Sequence, residues 1–397
     1  MREYSKTHPW LTFELNLERA TSPKLWLLLG EIKSKCEHVA GIPLRPSVAD
    51  DLHKLFLAKG VAATAAIEGN TLSEEQVLEK IEGRLTVPPS QEYLKQEITN
   101  VLSACKLITR SANRGQLQKL SPEIISFHNR LVLRDLPLDE GVVPGEITHA
   151  VRVGGYKGAP REDCELLLAR LCGWLTGQEL EHPDVPPMAI GILKALLAHL
   201  YLAWIHPFGD GNGRTARLLE FRLLLEAGVP SPAAHLLSNH YNQTRMEYYR
   251  QLAYTSHSKG DVVPFLLYAL TGFLDGLKDQ LKVIRDQQFD LTWRSLIFTA
   301  FKDKLGKNDL RQRSLIWELS KLNTSVPVDS LTLLSPVLAR DYAKLSERTL
   351  WRDLDQLVQY GLLAYSRDRQ FVRAKKEIIH AFLPSKRFDG ADWQIQS

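Results

Sequence analysis

The stretch His206-Pro-Phe-Gly-Asp-Gly-Asn-Gly-Arg-Thr-Ala-Arg217 carries more chemical information than any other part of this 397-residue chain. A strongly apolar run, residues 188–205, precedes it, and a run with helical periodicity follows it and ends at Gly228. We therefore predict a loop between two helices, with its glycines at the N-terminus of the second helix. Backbone N–H groups there lack intrahelical partners and the helix dipole favours negative charge, so the loop is suited to an anion.

The glycines and arginines of this loop suit phosphate in particular. Gly209, Gly211 and Gly213 can adopt backbone angles closed to other residues and bring main-chain amides close to a ligand. Arg214 and Arg217 lie three apart on the first turn of the predicted helix, so both can reach one polyanion. A plain turn followed by a capped helix is the ordinary alternative for any one of these elements.

The other polar groups of the loop suit a transfer reaction. Asp210 offers a hard oxygen ligand for a magnesium ion that keeps most of its waters and bridges phosphates. His206 titrates near neutrality and can accept a proton from a hydroxyl nucleophile. Because every position has a role in one mechanism, the whole string predicts phosphoryl or nucleotidyl transfer from a magnesium-bound nucleotide.

The loop resembles the signature of the Fic family, His-x-Phe-x-(Asp/Glu)-Gly-Asn-Gly-Arg-x-x-Arg. Every defined position is filled, by His206, Phe208, Asp210, Gly211, Asn212, Gly213, Arg214 and Arg217. The resemblance implies an enzyme that moves AMP from ATP onto a side-chain hydroxyl of a target protein. It also implies a mainly α fold, in which a Fic helical core with a β-hairpin flap is followed by a C-terminal winged helix-turn-helix domain.

The resemblance assigns a role to each residue of the loop. It implies that His206 deprotonates the hydroxyl, that Asp210 holds Mg²⁺, and that Arg217 orients the γ-phosphate of ATP. The α- and β-phosphates are expected to lie against Gly211, Asn212, Gly213 and Arg214. Similar proteins that transfer phosphate carry Ala and Lys in place of Gly211 and Gly213, so AMP transfer is the favoured reaction here.

Residues 61–70 form a second element of interest. This alanine-rich segment favours a helix that stops at Gly69, and Thr64 and Glu68 are four apart on one face of it. A purely structural helix is the simpler alternative. The segment also resembles the inhibitory motif of the Fic family, (Ser/Thr)-x-x-x-Glu-(Gly/Asn). The resemblance implies that Glu68 pairs bidentately with Arg217 and removes the guanidinium that should hold the γ-phosphate.

Residues 143–160 alternate in character and contain a Gly-Gly pair, which predicts a β-hairpin. In Fic proteins a hairpin flap lays the target backbone beside the active site by strand pairing, and a plain surface hairpin is the alternative. The positions expected to orient the target are Val151, Arg152, Val153 and Gly154. Tyr248 and Tyr249 match the place where the family often has aromatic residues near the adenine, although helix packing would explain them as well.

The last hundred residues contain more Lys and Arg than Asp and Glu. A short helix at 337–343, a helix from Ser346 to a stop at Gly361, and a hairpin at 362–374 resemble a winged helix. Arg348, Thr349 and Arg352 are expected to face outward, where such domains contact DNA. Asp353 and Asp355 weaken that prediction, and protein docking or dimerisation is the alternative.

Three regions are predicted along the chain: an N-terminal helical region at 1–110 that carries the inhibitory helix (about 61–70), a catalytic core at 111–285, and a winged helix at 290–385. Further helices are predicted at 120–133, 161–180, 214–227, 240–253 and 263–285. The formal net charge of +4 is too mild to require a nucleic-acid partner.

Composition restricts the location and the cofactors. The N-terminus has charges where a signal peptide has its apolar region, so we expect a cytoplasmic protein. Residues 188–205 contain Lys194 and His199 and lead directly into the polar loop, which favours a core helix over a membrane span. The four cysteines form no C-x-x-C pair, which favours reduced thiols over a zinc site.

ATP, Mg²⁺ and a target protein bearing an acceptor hydroxyl are thus the expected partners, with DNA and a homodimer left open. Two other functions also remain open. One is a DNA-binding regulator whose Fic core only modifies itself or senses nucleotide. The other is a Fic enzyme that removes AMP or transfers a different nucleotidyl group. An intact His206 argues against a catalytically dead core, since a pure scaffold does not need the base.

Overall fold

A computed structural model describes residues 2–15, 22–148, 152–153, 155–322 and 324–379. The chain divides into two compact units, Met1–Leu281 and Lys282–Ser397. The long helix α13 (Val263–Ala300) begins in the first unit and ends in the second.

The first unit is built almost entirely from helices. Its helices before the flap are α1 (Tyr4–Thr7), α2 (Pro23–Gly41), α3 (Pro46–Ile67), α4 (Glu74–Ile81), α5 (Glu92–Asn113) and α6 (Pro122–Leu133). After the flap come α7 (Arg161–Thr176), α8 (Pro187–Ile205), α9 (Asn212–Glu226), α10 (Ser231–Ala234), α11 (Leu236–Gln243) and α12 (Arg245–His257). This mainly helical architecture agrees with the class predicted from the sequence.

Helix α8 forms the centre of the first unit because it is apolar around its whole circumference. Of the described residues, only this helix is long and apolar enough to cross a bilayer, and most of it is buried among the neighbouring helices. Helix α9 packs along α8, and α3, α5 and α6 in turn pack on α9. The loop between α8 and α9 is therefore held by the most deeply buried pair of helices in the unit.

The predicted hairpin is present as two short antiparallel strands, β1 (Arg152–Val153) and β2 (Tyr156–Lys157). The flap residues Val151 and Gly154 lie outside the described residues. The hairpin is fixed at its base, where the Tyr156 hydroxyl donates to the Trp204 carbonyl at 2.6 Å and the Ala159 N–H donates to the Ile205 carbonyl at 3.0 Å. Both acceptors belong to the last turn of α8, so the flap lies beside the loop that follows.

The second unit contains α14 (Lys307–Ser320), α15 (Pro336–Tyr342) and α16 (Glu347–Gln359), with three strands, β3 (Val326–Pro327), β4 (Leu363–Tyr365) and β5 (Phe371–Ala374). The strands form an antiparallel sheet in the order β3-β5-β4. Gly361, with a φ of 71°, ends α16 as its sequence predicted. Residues 380–385 of the predicted winged helix lie outside the described part of the chain.

Three predicted helices have clearly different bounds in the structure. The helix predicted at 161–180 is α7, which ends at Thr176. The segment predicted as one helix at 240–253 is two helices, α11 and α12, with a break at Thr244. The Thr244 hydroxyl donates to the His240 carbonyl at 2.7 Å and contacts the Tyr268 hydroxyl at 2.6 Å. Helix α13 continues to Ala300, beyond the predicted end at 285.

Candidate functional site

The loop from His206 to Arg217 is closed by the side chain of Asn212. Its Oδ1 accepts the Phe208 N–H at 3.0 Å and its Nδ2 donates to the Phe208 carbonyl at 2.7 Å. Phe208 is itself buried and anchors the loop in the core. Asn212 is 3% exposed, so its side chain shapes the loop, while its backbone N–H belongs to the first turn of α9.

Two glycines of the loop are required, Gly211 by its backbone angle and Gly213 by the close approach of another side chain. Gly211 has a φ of 73° and serves as the N-cap of α9. A Cβ on Gly213 would overlap Oε1 of Glu68 and lie 3.2 Å from Nη1 of Arg217. The missing side chain at Gly213 therefore lets an anionic group reach the N-terminus of α9, as the anion prediction requires.

His206 sits at the C-terminal end of α8 in the left-handed region, with a φ of 51°. Its Nδ1 lies 3.3 Å from the Ala203 carbonyl, which favours a proton on Nδ1 and leaves the lone pair on Nε2 as the proton acceptor. Burial lowers the pKa of His206 below its ordinary value, although the Ala203 carbonyl, Glu68 and Asp210 act to raise it. The imidazole is therefore a neutral base near pH 7.

Glu68 and Arg217 form the predicted ion pair, but through one nitrogen and one oxygen and not bidentately as expected. Nη2 of Arg217 donates to Oε1 of Glu68 at 2.5 Å and to the Thr64 carbonyl at 3.0 Å. Thr64 thus contacts Arg217 through its backbone carbonyl and not through its side chain. Burial acts to raise the pKa of Glu68, but Arg217, Arg214 and His206 act to lower it. The net result is a pKa below the ordinary value of a glutamate. The pair is therefore ionised at neutral pH.

Two of the nitrogens of Arg217 have N–H donors that are not used in a hydrogen bond to the described residues. Its side chain is fully buried, and its Nε and Nη1 have no hydrogen-bond acceptor among the residues that the structure describes. Buried guanidinium donors without acceptors are costly unless a ligand supplies them. They are consistent with a phosphate that binds at this point.

Arg214 is held by two acids. Its Nη1 donates to Oε1 of Glu97 at 2.7 Å, and its Nη2 lies 3.1 and 3.2 Å from the two carboxylate oxygens of Asp210. Glu97 was not among the predicted site residues. Its buried carboxylate also accepts from Nδ2 of Asn70 at 2.8 Å, so it connects the segment after Glu68 with the loop.

Asp210 is the acid available to a metal ion. Its side chain is 47% exposed, and it accepts from Arg214 and from the N–H of Gly211. Within the described ranges, no group of three or more His, Cys, Asp or Glu side chains could hold a metal. One carboxylate beside an anion site fits an ion such as Mg²⁺, which takes its remaining ligands from phosphates and water.

The two adjacent tyrosines occupy different environments. Tyr248 is 2% exposed, and its hydroxyl lies 2.9 Å from Nε2 of His199 inside the core. Tyr249 is 41% exposed and donates its hydroxyl to the Ile67 carbonyl, at the end of the helix that carries Glu68. The adenine contact predicted for both residues stays a prediction.

The site therefore gathers a neutral imidazole, an exposed carboxylate, two arginines and the N-terminus of α9. Glu68 interacts electrostatically with Arg217, Arg214 and His206, and His206 with Asp210, so these side chains share one location. This arrangement can bind a polyanion and remove a proton from a group placed against it.

The helical fold and this loop resemble those of Fic proteins. Residues 119–224 match the family model described as "Fic/DOC family", so the chain carries a Fic domain.

The same class appears among relatives and solved structures. The chain is 30% identical over 243 residues to the protein adenylyltransferase Fic of Nematostella vectensis, a match that covers 61% of this chain and 52% of that protein. It is 30% identical over 206 residues to the protein adenylyltransferase fic-1 of Caenorhabditis elegans, covering 52% of this chain and 37% of that one. The chain thus spans about half or less of the curated relatives it matches.

Two solved structures share the fold. A Fic family protein from Desulfovibrio desulfuricans G20 superposes with a TM-score of 0.54 at 20% identity, covering 91% of this chain and 98% of that chain. Fic-1 from C. elegans superposes with a TM-score of 0.53 at 24% identity, covering 66% and 72%.

Proposed function

We propose that this protein is an adenylyltransferase that moves AMP from ATP to a Ser, Thr or Tyr hydroxyl of a target protein, with Mg²⁺ as cofactor, and that Glu68 holds it inactive. The observation that supports this most is the Glu68–Arg217 ion pair, which lies over Gly213 at the N-terminus of α9 and beside His206. The names of the relatives support AMP as the transferred group.

The residues suggest a direct in-line transfer. Nε2 of His206 takes the proton of the acceptor hydroxyl, whose oxygen forms a bond to the α-phosphorus of ATP. The bond from that phosphorus to the α,β-bridging oxygen breaks, and pyrophosphate leaves. Backbone N–H groups at the start of α9 and Arg214 would hold the α- and β-phosphates, and Asp210 would hold Mg²⁺, which offsets their charge.

The flap would orient the target. Strands β1 and β2 end beside the last turn of α8, and a target segment that pairs with the hairpin would present its hydroxyl near His206. Main-chain pairing is tolerant of sequence, so side chains elsewhere would select the target.

Glu68 would inhibit by competing with the γ-phosphate. Its carboxylate takes Nη2 of Arg217 and occupies the space over Gly213. ATP could then bind only with its γ-phosphate displaced, in a pose unsuited to in-line attack. Arg217 is fully buried while Glu68 is 31% exposed, so separation of this partly buried pair leaves a buried guanidinium without its charged partner, and the inhibited state should be hard to leave spontaneously.

The test is transfer of label from ATP labelled at the α-phosphorus to the purified protein and to cell lysate. Glu68→Gly should label far more strongly than the wild type, and Glu68→Gly with His206→Ala should not label. ATP labelled at the γ-phosphorus is the control, because an adenylyltransferase releases that label as pyrophosphate. No gain from Glu68→Gly would refute the inhibitory role, and loss of AMP from a pre-modified peptide would favour the reverse reaction.

We also propose that the second unit is a winged helix that binds DNA through α16. Arg348 and Arg352 are exposed on this helix. The acids that argued against DNA are already paired, since Asp353 is fully buried against Arg311 at 2.7 Å and Asp355 contacts Arg369. A gel shift that weakens with salt and with Arg348→Ala plus Arg352→Ala would support this role. Salt-insensitive or absent binding would count against it.

A further inference from the structure

A chain of buried polar side chains crosses the first unit behind the candidate site. The Tyr241 hydroxyl donates to Oε1 of Glu220 at 2.9 Å, and Nδ1 of His199 lies 3.1 Å from the same oxygen. Nε2 of His199 lies 2.9 Å from the Tyr248 hydroxyl. All four side chains are at most 2% exposed, and they come from four helices, α8, α9, α11 and α12.

This chain ends at the arginine that Glu68 occupies. The Tyr248 hydroxyl interacts electrostatically with the Arg217 guanidinium, and Glu220 follows Arg217 by one turn of α9. The contact lacks the alignment of a hydrogen bond, because Nε and Nη1 of Arg217 have no acceptor within the described residues. Tyr248 therefore faces Arg217 and leaves two of its donors available.

The order of the groups sets the direction of their dipoles. The Glu220 carboxylate lies 3.1 Å from Nδ1 of His199 without the alignment of a hydrogen bond, and its negative charge favours a proton on that nitrogen. Nε2 then accepts from the Tyr248 hydroxyl. The lone pairs of the Tyr248 oxygen then face the positive guanidinium. Burial raises the pKa of Tyr248, so the hydroxyl keeps the proton that it donates.

We infer that Glu220, His199 and Tyr248 are positioning residues that hold Arg217 ready for the γ-phosphate of ATP, independently of Glu68. This inference rests on the proposed function. When Glu68 withdraws, Arg217 loses its charged partner, and the negative end of the network keeps the guanidinium in place at the N-terminus of α9. A network that served only to stabilise the core would affect all nucleotides alike.

The comparison of ATP with ADP separates these roles. In the Glu68→Gly protein, Tyr248→Phe keeps the ring, which stacks on Tyr241 at 4.7 Å, and removes only the hydroxyl. The affinity for ATP measured by calorimetry should fall severalfold, because the hydroxyl dipole no longer holds the guanidinium in place, while the affinity for ADP stays unchanged.

The control is Tyr268→Phe in the same background. Tyr268 belongs to the same aromatic cluster, but its hydroxyl contacts Thr244 and lies outside the chain from Tyr241 to Tyr248. It should leave both affinities unchanged. Equal losses of ATP and ADP affinity in Tyr248→Phe, or an equal ATP loss in Tyr268→Phe, would overturn the inference.

A second variant guards against a misfolded protein. Glu220→Gln keeps the side-chain size but removes the charge that fixes the His199 proton, so it should also lower the preference for ATP over ADP. That ratio does not depend on the fraction of folded protein. Failure of the Glu68→Gly parent to bind ATP would instead refute the proposed function. If the Glu68→Gly protein bound ATP no better than ADP, this inference would be overturned. The proposed AMP transfer would then still be decided by the labelling experiment.

Discussion

The surroundings of His206 fit it to the role of base that we propose for it. A left-handed backbone turns the imidazole out of α8 towards the loop, and the Ala203 carbonyl favours a proton on Nδ1. The motif predicted a histidine base, but the backbone angle and the burial that lowers its pKa follow from packing in three dimensions.

The pH dependence of transfer tests this residue. The base works unprotonated, so activity is present above the pKa of His206 and is lost as the pH falls through it. Burial lowers that pKa below 6.5, and Glu68→Gly removes a negative charge that acts to raise it. The acid limb of kcat/KM for the Glu68→Gly protein should therefore lie below pH 6.5. An acid limb at or above pH 6.5 would contradict the claim that burial lowers the pKa of His206.

Glu97 is the residue of the site that the sequence did not reveal. It lies on the apolar face of α5, one turn from Leu94 and Val101, and this position is its one sequence signal. No motif marks it, because its partners Arg214 and Asn70 are distant along the chain.

Removal of Glu97 should leave Arg214 buried without its main partner. Glu97→Ala is expected to lower the free energy of unfolding by about 3 kcal/mol, a typical cost for breaking a buried ion pair. Urea denaturation measures this loss. Glu92→Ala on the same helix is the control, since Glu92 forms an exposed pair with Lys95 and its loss should have little effect. Similar values for the two variants would refute the role given to Glu97.

Among the elements, the end of α3 is the part to which we assign regulation. The helix stops at Ile67, Gly69 takes a φ of 103°, and Asn70 turns back into the core. The Asn70 side chain accepts the Leu72 N–H at 3.0 Å and donates to the Leu94 carbonyl and to Glu97. These bonds fix the short segment that carries Glu68.

Asn70→Ala should loosen that segment. Labelling from ATP is expected to rise in the wild-type background, because Glu68 then holds Arg217 less firmly. The same substitution in Glu68→Gly should bring no further rise, since no inhibitory carboxylate remains. Equal effects in both backgrounds would show that Asn70 acts on catalysis and not on inhibition.

Helix periodicity and the two motifs predicted much of the fold and site. They placed α8, α9, the flap hairpin, the loop and the Glu68–Arg217 pair in agreement with the structure. They missed the break at Thr244, where the Thr244 hydroxyl donates to the His240 carbonyl. They also missed the chain of buried polar side chains from Tyr241 to Tyr248. Such contacts join distant helices, and local periodicity contains no information about them.

At the scale of the whole molecule, the chain combines a Fic domain with a second unit that has its own hydrophobic core. In the second unit a three-stranded sheet and three helices surround the buried Asp353, which also accepts from Gln312 and Tyr342. In the first unit, the buried pair of α8 and α9 carries the loop. Each unit therefore has its own hydrophobic core, which is what two parts of a chain with different functions need.

The most direct test is calorimetric titration of ATP into the Glu68→Gly protein, with and without Mg²⁺. Release of Arg217 from its carboxylate should give ATP binding that strengthens with Mg²⁺, and Arg217→Ala in the same protein should weaken it. The wild type should bind ATP more weakly than Glu68→Gly. Absence of any Mg²⁺-dependent ATP binding by Glu68→Gly would contradict a triphosphate site at the loop from His206 to Arg217.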